Sequence, residues 1–227
     1  MVLTIPGLLR AAQIAEFRQA LGSVEWIDGK ATAGYLSSRA KNNEQVPEGH
    51  PVGRRLGNVI LEELDKNESF ISAALPMRVL PPLFNRYTHG RSYGEHIDGA
   101  VRPIAGTPFR VRTDLSATLF LADPAEYDGG ELVIGEGSDE KQLKLPAGDM
   151  VLYSGGTVHR VMPVTRGVRL AAFFWVQSMV RDETRRTILF DFDNALQQLG
   201  RTGADHDACV RLAGVYHNLL RQWADTI

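Results

Sequence analysis

The sequence predicts a mainly β fold, an antiparallel sandwich or barrel of jelly-roll type, with flanking helices at both ends. Three observations predict it. Between residues 78 and 178 the chain is a succession of short β-type runs separated by turn-forming residues, with no helical period interleaved. Before and after that stretch, apolar residues recur at helical spacing. A length of 227 residues with 44% hydrophobic and 23% charged side chains suits one well-cored unit and is far from the composition of a disordered chain.

Taken in order, residues 1–77 are expected to be an N-terminal helical support. In "AAQIAEFRQALG" Ile14, Phe17 and Leu21 share a face and Gly22 ends the pattern. "PVGRRLGNVILEELDKN" starts at Pro51 and repeats Val52, Leu56, Val59, Ile60 and Leu64, while "ATAGYLSSRAKNNEQVPEGH" between the two reads as a loop. Residues 78–178 supply the β core through "RVLPPLFNRY", "TDLSATLFLAD", "GGELVIG", "KQLKLPAGDMVLYS", "HRVMPV" and "VRLAAFFWVQS". The turns come from "DPAEYDGG", "PAGD", "SGG" and "VTRG". Residues 179–227 return to helix: Ile188, Phe192 and Leu196 line one side of the first, and Val210, Leu212 or Ala213, Tyr216 and Leu220 one side of the second. With no repeat or flexible linker between these parts, a single compact unit is expected.

Charge and composition exclude several functions. A net charge of −2 gives no general pull towards nucleic acid or anionic membrane. The N-terminal "MVLTIPGLLRAAQIAEF" lacks the basic start and apolar run of a secretory signal, and no run reaches the ~20 apolar residues of a spanning helix, so the cytoplasm is the expected location. Cys209 stands alone in a helical pattern, which suggests packing, and without a cysteine cluster any metal must use nitrogen and oxygen ligands. "GEGSDEKQ" and "HGRSYGEH" lack a phosphate-binding fingerprint, and G-x-S-x-G is absent. His50, His89, His206 and His217 have no carboxylate at the i+2 position.

Chemistry concentrates in "YTHGRSYGEHIDGAVRP". Residues i and i+2 of a strand share a face, so His96 and Asp98 can aim at one point while Ile97 turns away. A third ligand should come from a distant strand, and His159 follows "GDMVLYSGGT", a strand running into a Gly-Gly bend. Two histidines and one carboxylate form the facial set of non-haem Fe(II) oxygenases, which leaves coordination positions open. Each residue alone also has a plainer role: His96 paired with Asp98 at the surface, His159 hydrogen-bonded in a turn. Arg169 changes the balance. "HRVMPVTRGVRLAAFFW" reads as two strands reversing around Val164 to Gly167, which would bring position 169 opposite 159. A buried-side arginine there needs an anion, since an unpaired buried guanidinium costs several kcal/mol. A small dicarboxylate chelating iron through a 2-oxo acid end would offer its other carboxylate; the alternative is an arginine snorkelling at a sheet edge.

The order "RYTHGRSYGEHID … DLSATLFLAD … YDGGELVI … GDMVLYSGGTVHRVMPVTRGVRLAAFFWVQS" resembles the Fe(II)- and 2-oxoglutarate-dependent dioxygenases of prolyl 4-hydroxylase type. It most resembles the bacterial PKHD-type hydroxylases (the YbiX/PiuC family), because "QSMVRDETRRTILFDFDNALQQL" is similar to their C-terminal helical extension. The resemblance covers nearly the whole chain. It implies a double-stranded β-helix core, with His96, Asp98 and His159 as iron ligands and Arg169 as the 2-oxoglutarate anchor. Tyr87 falls where relatives place a tyrosine near the co-substrate, although it could equally pack under the barrel floor. The resemblance further implies a hydroxylase that converts 2-oxoglutarate to succinate, ascorbate (vitamin C) as reductant, and a link to iron uptake. Many prolyl hydroxylases of wider relationship use lysine as the anchor; the arginine here agrees with the PKHD branch.

A rival remains in a non-catalytic jelly-roll protein that binds iron or a ligand, which would not need Arg169. The substrate, a small molecule or a polypeptide, is not dictated by the sequence, and a homo-oligomer is left open. "AVRPIAGTPFRVRTD" carries Arg102, Arg110 and Arg112 beside the ligands, either as a cationic rim for an anionic or polar substrate or as a solvated loop.

Overall fold

The computed structural model describes all residues except 33, 35, 36, 105 and 227, and of residues 31, 32 and 37 the backbone alone. Within it, residues 1–77 supply strands as well as helices. β1 (Val2–Ile5) precedes α1 (Ala11–Gly22), which buries Phe17 and Leu21 as their spacing predicts. β2 (Ile27–Asp28) follows, and the expected loop instead carries α2 (Ser37–Ala40), β3 (Lys41–Asn42) and β4 (Glu44–Gln45); its positions 33, 35 and 36 lie outside the described residues. Strands this short hold no alternation to read, so backbone pairing with their neighbours creates them. α3 (Pro51–Leu64) starts at Pro51, with His50 Nδ1 accepting from the Val52 N–H, and buries Leu56, Ile60 and Leu64. α4 (Glu68–Ala74) is capped by the Asn67 side chain.

The β core follows. The run expected as one strand is broken at Pro81 and Pro82 into β5 (Pro76–Val79) and β6 (Leu83–Tyr87), because proline offers no N–H to a ladder. Then come β7 (Ser92–His96), β8 (Val101–Pro103), β9 (Arg110–Arg112), β10 (Leu115–Phe120), β11 (Tyr127–Gly129), β12 (Leu132–Ile134) and β13 (Lys141–Leu143). β14 (Met150–Ser154), β15 (His159–Val161), β16 (Val164–Gly167) and β17 (Arg169–Ser178) complete it. The larger sheet runs β1-β14-β10-β17-β6-β4-β2, with β5 also on β17; the smaller runs β13-β12-β15-β7-β3. Every pairing is antiparallel, as the short β-type runs predict.

Alternation along two central strands separates the two sides of the larger sheet. In β10, Leu115, Ala117 and Leu119 join Phe17, Leu56, Ile60 and Phe70 in a core between sheet and helices. Ser116 and Thr118 point the other way, into the space between the sheets. In β17, Ala172, Phe174 and Val176 belong to the helix-side core, so Arg169, Phe173 and Trp175 share the opposite face. A second core of Tyr87, Phe120, Val151, Leu132, Ile134 and Val161 joins the two sheets, which completes the jelly-roll.

The hairpin expected around residue 164 is absent. β16 leaves β15 to pair with β11, and β17 enters the larger sheet between β10 and β6. Gly167 turns the chain at φ +72°, where a Cβ would lie 2.0 Å from the Glu126 carbonyl oxygen. Residues 159 and 169 therefore sit on facing sheets rather than on paired strands.

At the C-terminal end α5 (Glu183–Arg201) and α6 (His206–Trp223) pack on Leu75 and Val180. Phe192 and Leu196 face this cluster as expected, but Leu189 is buried beside them in place of Ile188, which is 45% exposed, and Val210 is 56% exposed. Tyr216 and Leu220 do face the cluster. Among the described residues, no helix is long and apolar enough to cross a membrane.

Candidate active site

His96 and His159 meet because β7 and β15 are neighbours in the smaller sheet, in register at these two residues. Val161, two positions on, is paired with Tyr93, three positions back, so β7 carries one extra residue between Tyr93 and His96. Gly94 lies in this bulge, where a Cβ would approach the Ala40 Cβ to 3.1 Å. The extra residue resets the alternation. Tyr93 comes to the same side as His96 and stacks on its ring at 3.6 Å between centroids, 15° from parallel.

Each imidazole is oriented by its own backbone. His96 Nδ1–H donates to the Gly94 carbonyl (2.8 Å) and His159 Nδ1–H to the Thr157 carbonyl (3.0 Å), which leaves both Nε2 atoms as lone-pair donors. Asp98 lies just past the end of β7 rather than within the expected strand, and Ile97 turns out to solvent as expected, 51% exposed. The Ser116 hydroxyl, from the facing sheet, donates to Asp98 Oδ2 at 2.6 Å and fixes the carboxylate that the strand no longer positions. His159 Nε2 stands 3.8 Å from that oxygen, and one donor atom from each of His96, Asp98 and His159 lies within 4.8 Å of the others.

Burial, reinforced by His159, pushes His96 down to about 4, against the pull of the Gly94 hydrogen bond and Asp98. At neutral pH it is a neutral imidazole, the ligand form. Two imidazole nitrogens and one carboxylate suit a borderline divalent cation such as Fe(II) and leave room for other ligands.

Across the gap, Arg169 opens β17 opposite Tyr87 of β6 and is 1% exposed. Its guanidinium carbon lies 5.3 Å from the Tyr87 ring centre and 5.2 Å from that of Phe120. Nε and Nη2 are buried with no hydrogen-bond partner among the described residues. A buried cation left in this state is costly, and a carboxylate meeting those two N–H groups would satisfy it. Tyr87 is itself buried and lines the same cavity, and burial pushes its phenol up against the opposing effect of Arg169. It therefore both packs and faces the site. Tyr153 sets its ring edge-on to His159 at 5.1 Å; burial and then Asp98 push its phenol well above the usual range.

The cavity between the sheets is thus lined by His96, Asp98, His159, Arg169 and Tyr87, all predicted from the sequence, and also by Lys41, Tyr93, Ser116, Tyr153 and Trp175. Lys41 sits in a two-residue strand and Tyr93 behind a bulge, so neither carries a periodic signal; Ser116 could have been found from its parity in "DLSATLFLAD". The three-arginine rim does not form. Arg112 pairs with Asp114 (2.6 Å) and the Ser178 carbonyl, Arg110 is exposed, and only Arg102 turns inward, 4.0 Å above the Trp175 ring. Position 105 of that loop lies outside the described residues.

Residues 82–177 match the 2OG-Fe(II) oxygenase superfamily, and residues 182–225 match the PKHD-type hydroxylase C-terminal domain. A PKHD-type hydroxylase of Pseudomonas putida strain W619 is 55% identical over 225 residues, 99% of this chain and 100% of the relative. The PKHD-type hydroxylase PiuC of Pseudomonas aeruginosa is 53% identical over the same shares. Among solved structures, a Pseudomonas putida prolyl-4-hydroxylase has the same fold, with a TM-score of 0.51 at 20% identity, covering 78% of this chain and 92% of that one.

Proposed function

The chain belongs to the PKHD-type hydroxylases of the 2OG-Fe(II) oxygenase superfamily, and from that premise we propose that His96, Asp98 and His159 bind Fe(II) while Arg169 anchors 2-oxoglutarate. It is a 2-oxoglutarate-dependent dioxygenase, so the non-catalytic alternative is set aside. One observation carries the residue assignment: a buried guanidinium with two unpartnered N–H groups shares a cavity with three convergent donors of the right chemistry.

When bound, iron supplies the centre at which dioxygen and 2-oxoglutarate react, giving succinate, CO2 and one oxygen atom inserted into a substrate C–H bond. The chain's own residues hold and orient. The Gly94 and Thr157 carbonyls fix the two imidazole planes, and the Ser116 hydroxyl holds the Asp98 carboxylate towards them. Arg169 receives the distal carboxylate of 2-oxoglutarate in the bidentate fashion a guanidinium favours, with Tyr87 beside it. The buried Tyr87, Phe120 and Tyr153 keep water from the guanidinium and the histidines, which strengthens each ionic contact.

Ascorbate as reductant, a link to iron uptake and a cytoplasmic location complete the proposal; family resemblance supports the first two, and among the described residues no helix is long and apolar enough to cross a membrane. Succinate formation from 2-oxoglutarate with Fe(II), compared between the wild type and Arg169→Ala, tests the assignment. The variant should need far more 2-oxoglutarate, and an unchanged requirement would move the anchor elsewhere.

A further inference from the structure

Asn85 occupies a position where its own side chain costs the fold. Asparagine is a poor strand former, yet it stands at the centre of β6. Phe84 before it joins the helix-side core, so alternation turns Asn85 and Tyr87 to the cavity, which both line. Asn85 is only 7% exposed, and among the described residues its amide has no hydrogen-bond partner. Oδ1 is the sealed end, which leaves Nδ2 as the end that faces the cavity. A buried amide left in that state destabilises the folded chain, whereas an apolar side chain of similar size would not. Position 85 is therefore polar for the sake of something that enters the cavity.

The strand registers fix where along the cavity this position lies. Asn85 is paired with Ala171 of β17, and Ala171 with Phe120 of β10. Two residues back along β17 is Arg169, paired with Tyr87. In the other direction come Phe173, opposite Thr118, and then Trp175, opposite Ser116, whose hydroxyl holds Asp98. The row of Asn85 thus lies between the arginine at one end of the cavity and the carboxylate and histidines at the other. Ala171 and Phe120 have no polar side chain, so on these three strands Asn85 is the hydrogen-bonding group of its row. A molecule that reaches from Arg169 to His96, Asp98 and His159 must pass it.

We propose that the Asn85 amide donates a hydrogen bond to 2-oxoglutarate and is a second binding residue for it, acting between the Arg169 end and the metal end. The assignment rests on the reading that Arg169 anchors the co-substrate in this cavity. 2-Oxoglutarate presents acceptors alone, two carboxylates and the 2-oxo oxygen, so Nδ2 is the end of the amide that suits it. A hydrogen bond to an anion is of the stronger kind and offsets the unpaired oxygen. Asn85 adds this bond without adding charge, and Arg169 stays the electrostatic anchor.

The test is calorimetric titration of 2-oxoglutarate into the protein loaded with Fe(II) under anaerobic conditions, for the wild type, Asn85→Leu, Asn85→Ala and Arg169→Ala. Both Asn85 variants should bind 2-oxoglutarate at least about tenfold more weakly, with Fe(II) affinity, read by metal titration, unchanged. Without ligand, Asn85→Leu should melt no lower than the wild type, because it removes an amide that pairs with nothing. If Asn85→Leu does not fold, Asn85→Ala decides. Wild-type affinity for 2-oxoglutarate in Asn85→Ala overturns the proposal: the amide would then serve a buried water or the fold alone, and any loss in Asn85→Leu would come from bulk. An equal loss of Fe(II) affinity overturns it too, by placing Asn85 in the assembly of the metal site. Arg169→Ala separates the two readings. If it binds 2-oxoglutarate as the wild type does, the placement of the co-substrate fails and this inference with it; if it binds weakly while the Asn85 variants do not, only this inference fails.

Discussion

Arg169 and Gly130 act as a unit. Truncating a desolvated charge partner costs about 2–5 kcal/mol, so Arg169→Ala should weaken 2-oxoglutarate binding by tens-fold to thousands-fold. Gly130 sits at φ +68°, where a Cβ would lie 2.9 Å from Val164 Cγ2 and 3.1 Å from Arg169 Cδ. Gly130→Ala should therefore displace the arginine stem and raise the 2-oxoglutarate KM, by less than the loss of the arginine itself; an unchanged KM would mean that the stem is not held from this side. Ser116 holds Asp98 without belonging to the proposed ligand set. Ser116→Ala should lower Fe(II) affinity about 10–100-fold, read by metal titration, while melting close to the wild type.

At the scale of elements, what was legible followed periodicity. The H-x-D spacing brought His96 and Asp98 to one site, although Asp98 lies past the strand, and the β-type runs placed His159 and Arg169 at the starts of β15 and β17. What was hidden depends on pairing between distant segments. The β7 bulge reverses the parity of Tyr93, and the partner of β15 is β7 rather than β17, so the arginine reaches the site across the gap instead of along a hairpin. β3 and β4 exist only as additions to the two sheet edges, and with them Lys41 escaped notice. Only the first member of the C-terminal stripe was misplaced, because Ile188 and Leu189 are equally apolar and only packing on Val180 distinguishes them. Leu189→Ala should accordingly cost about 2–5 kcal/mol in chemical denaturation and Ile188→Ala well under half of that. Equal losses would contradict the observed face of α5.

In the whole molecule the larger sheet is clamped from behind by α1, α3 and α4 and faces the smaller sheet in front, so groups from eight strands converge on one cavity. Such a cavity is held by both cores and not by a loop, which suits a metal site that must keep coordination positions open. The residue roles hang on one expectation, that this cavity binds Fe(II) through Asp98 and the two histidines. Fe(II)-dependent release of succinate and CO2 from 2-oxoglutarate, measured on the wild type and on Asp98→Ala with matched melting curves, tests it most directly. The account predicts release by the wild type and none above background by the variant at equal stability; undiminished turnover in a well-folded Asp98→Ala protein would contradict it.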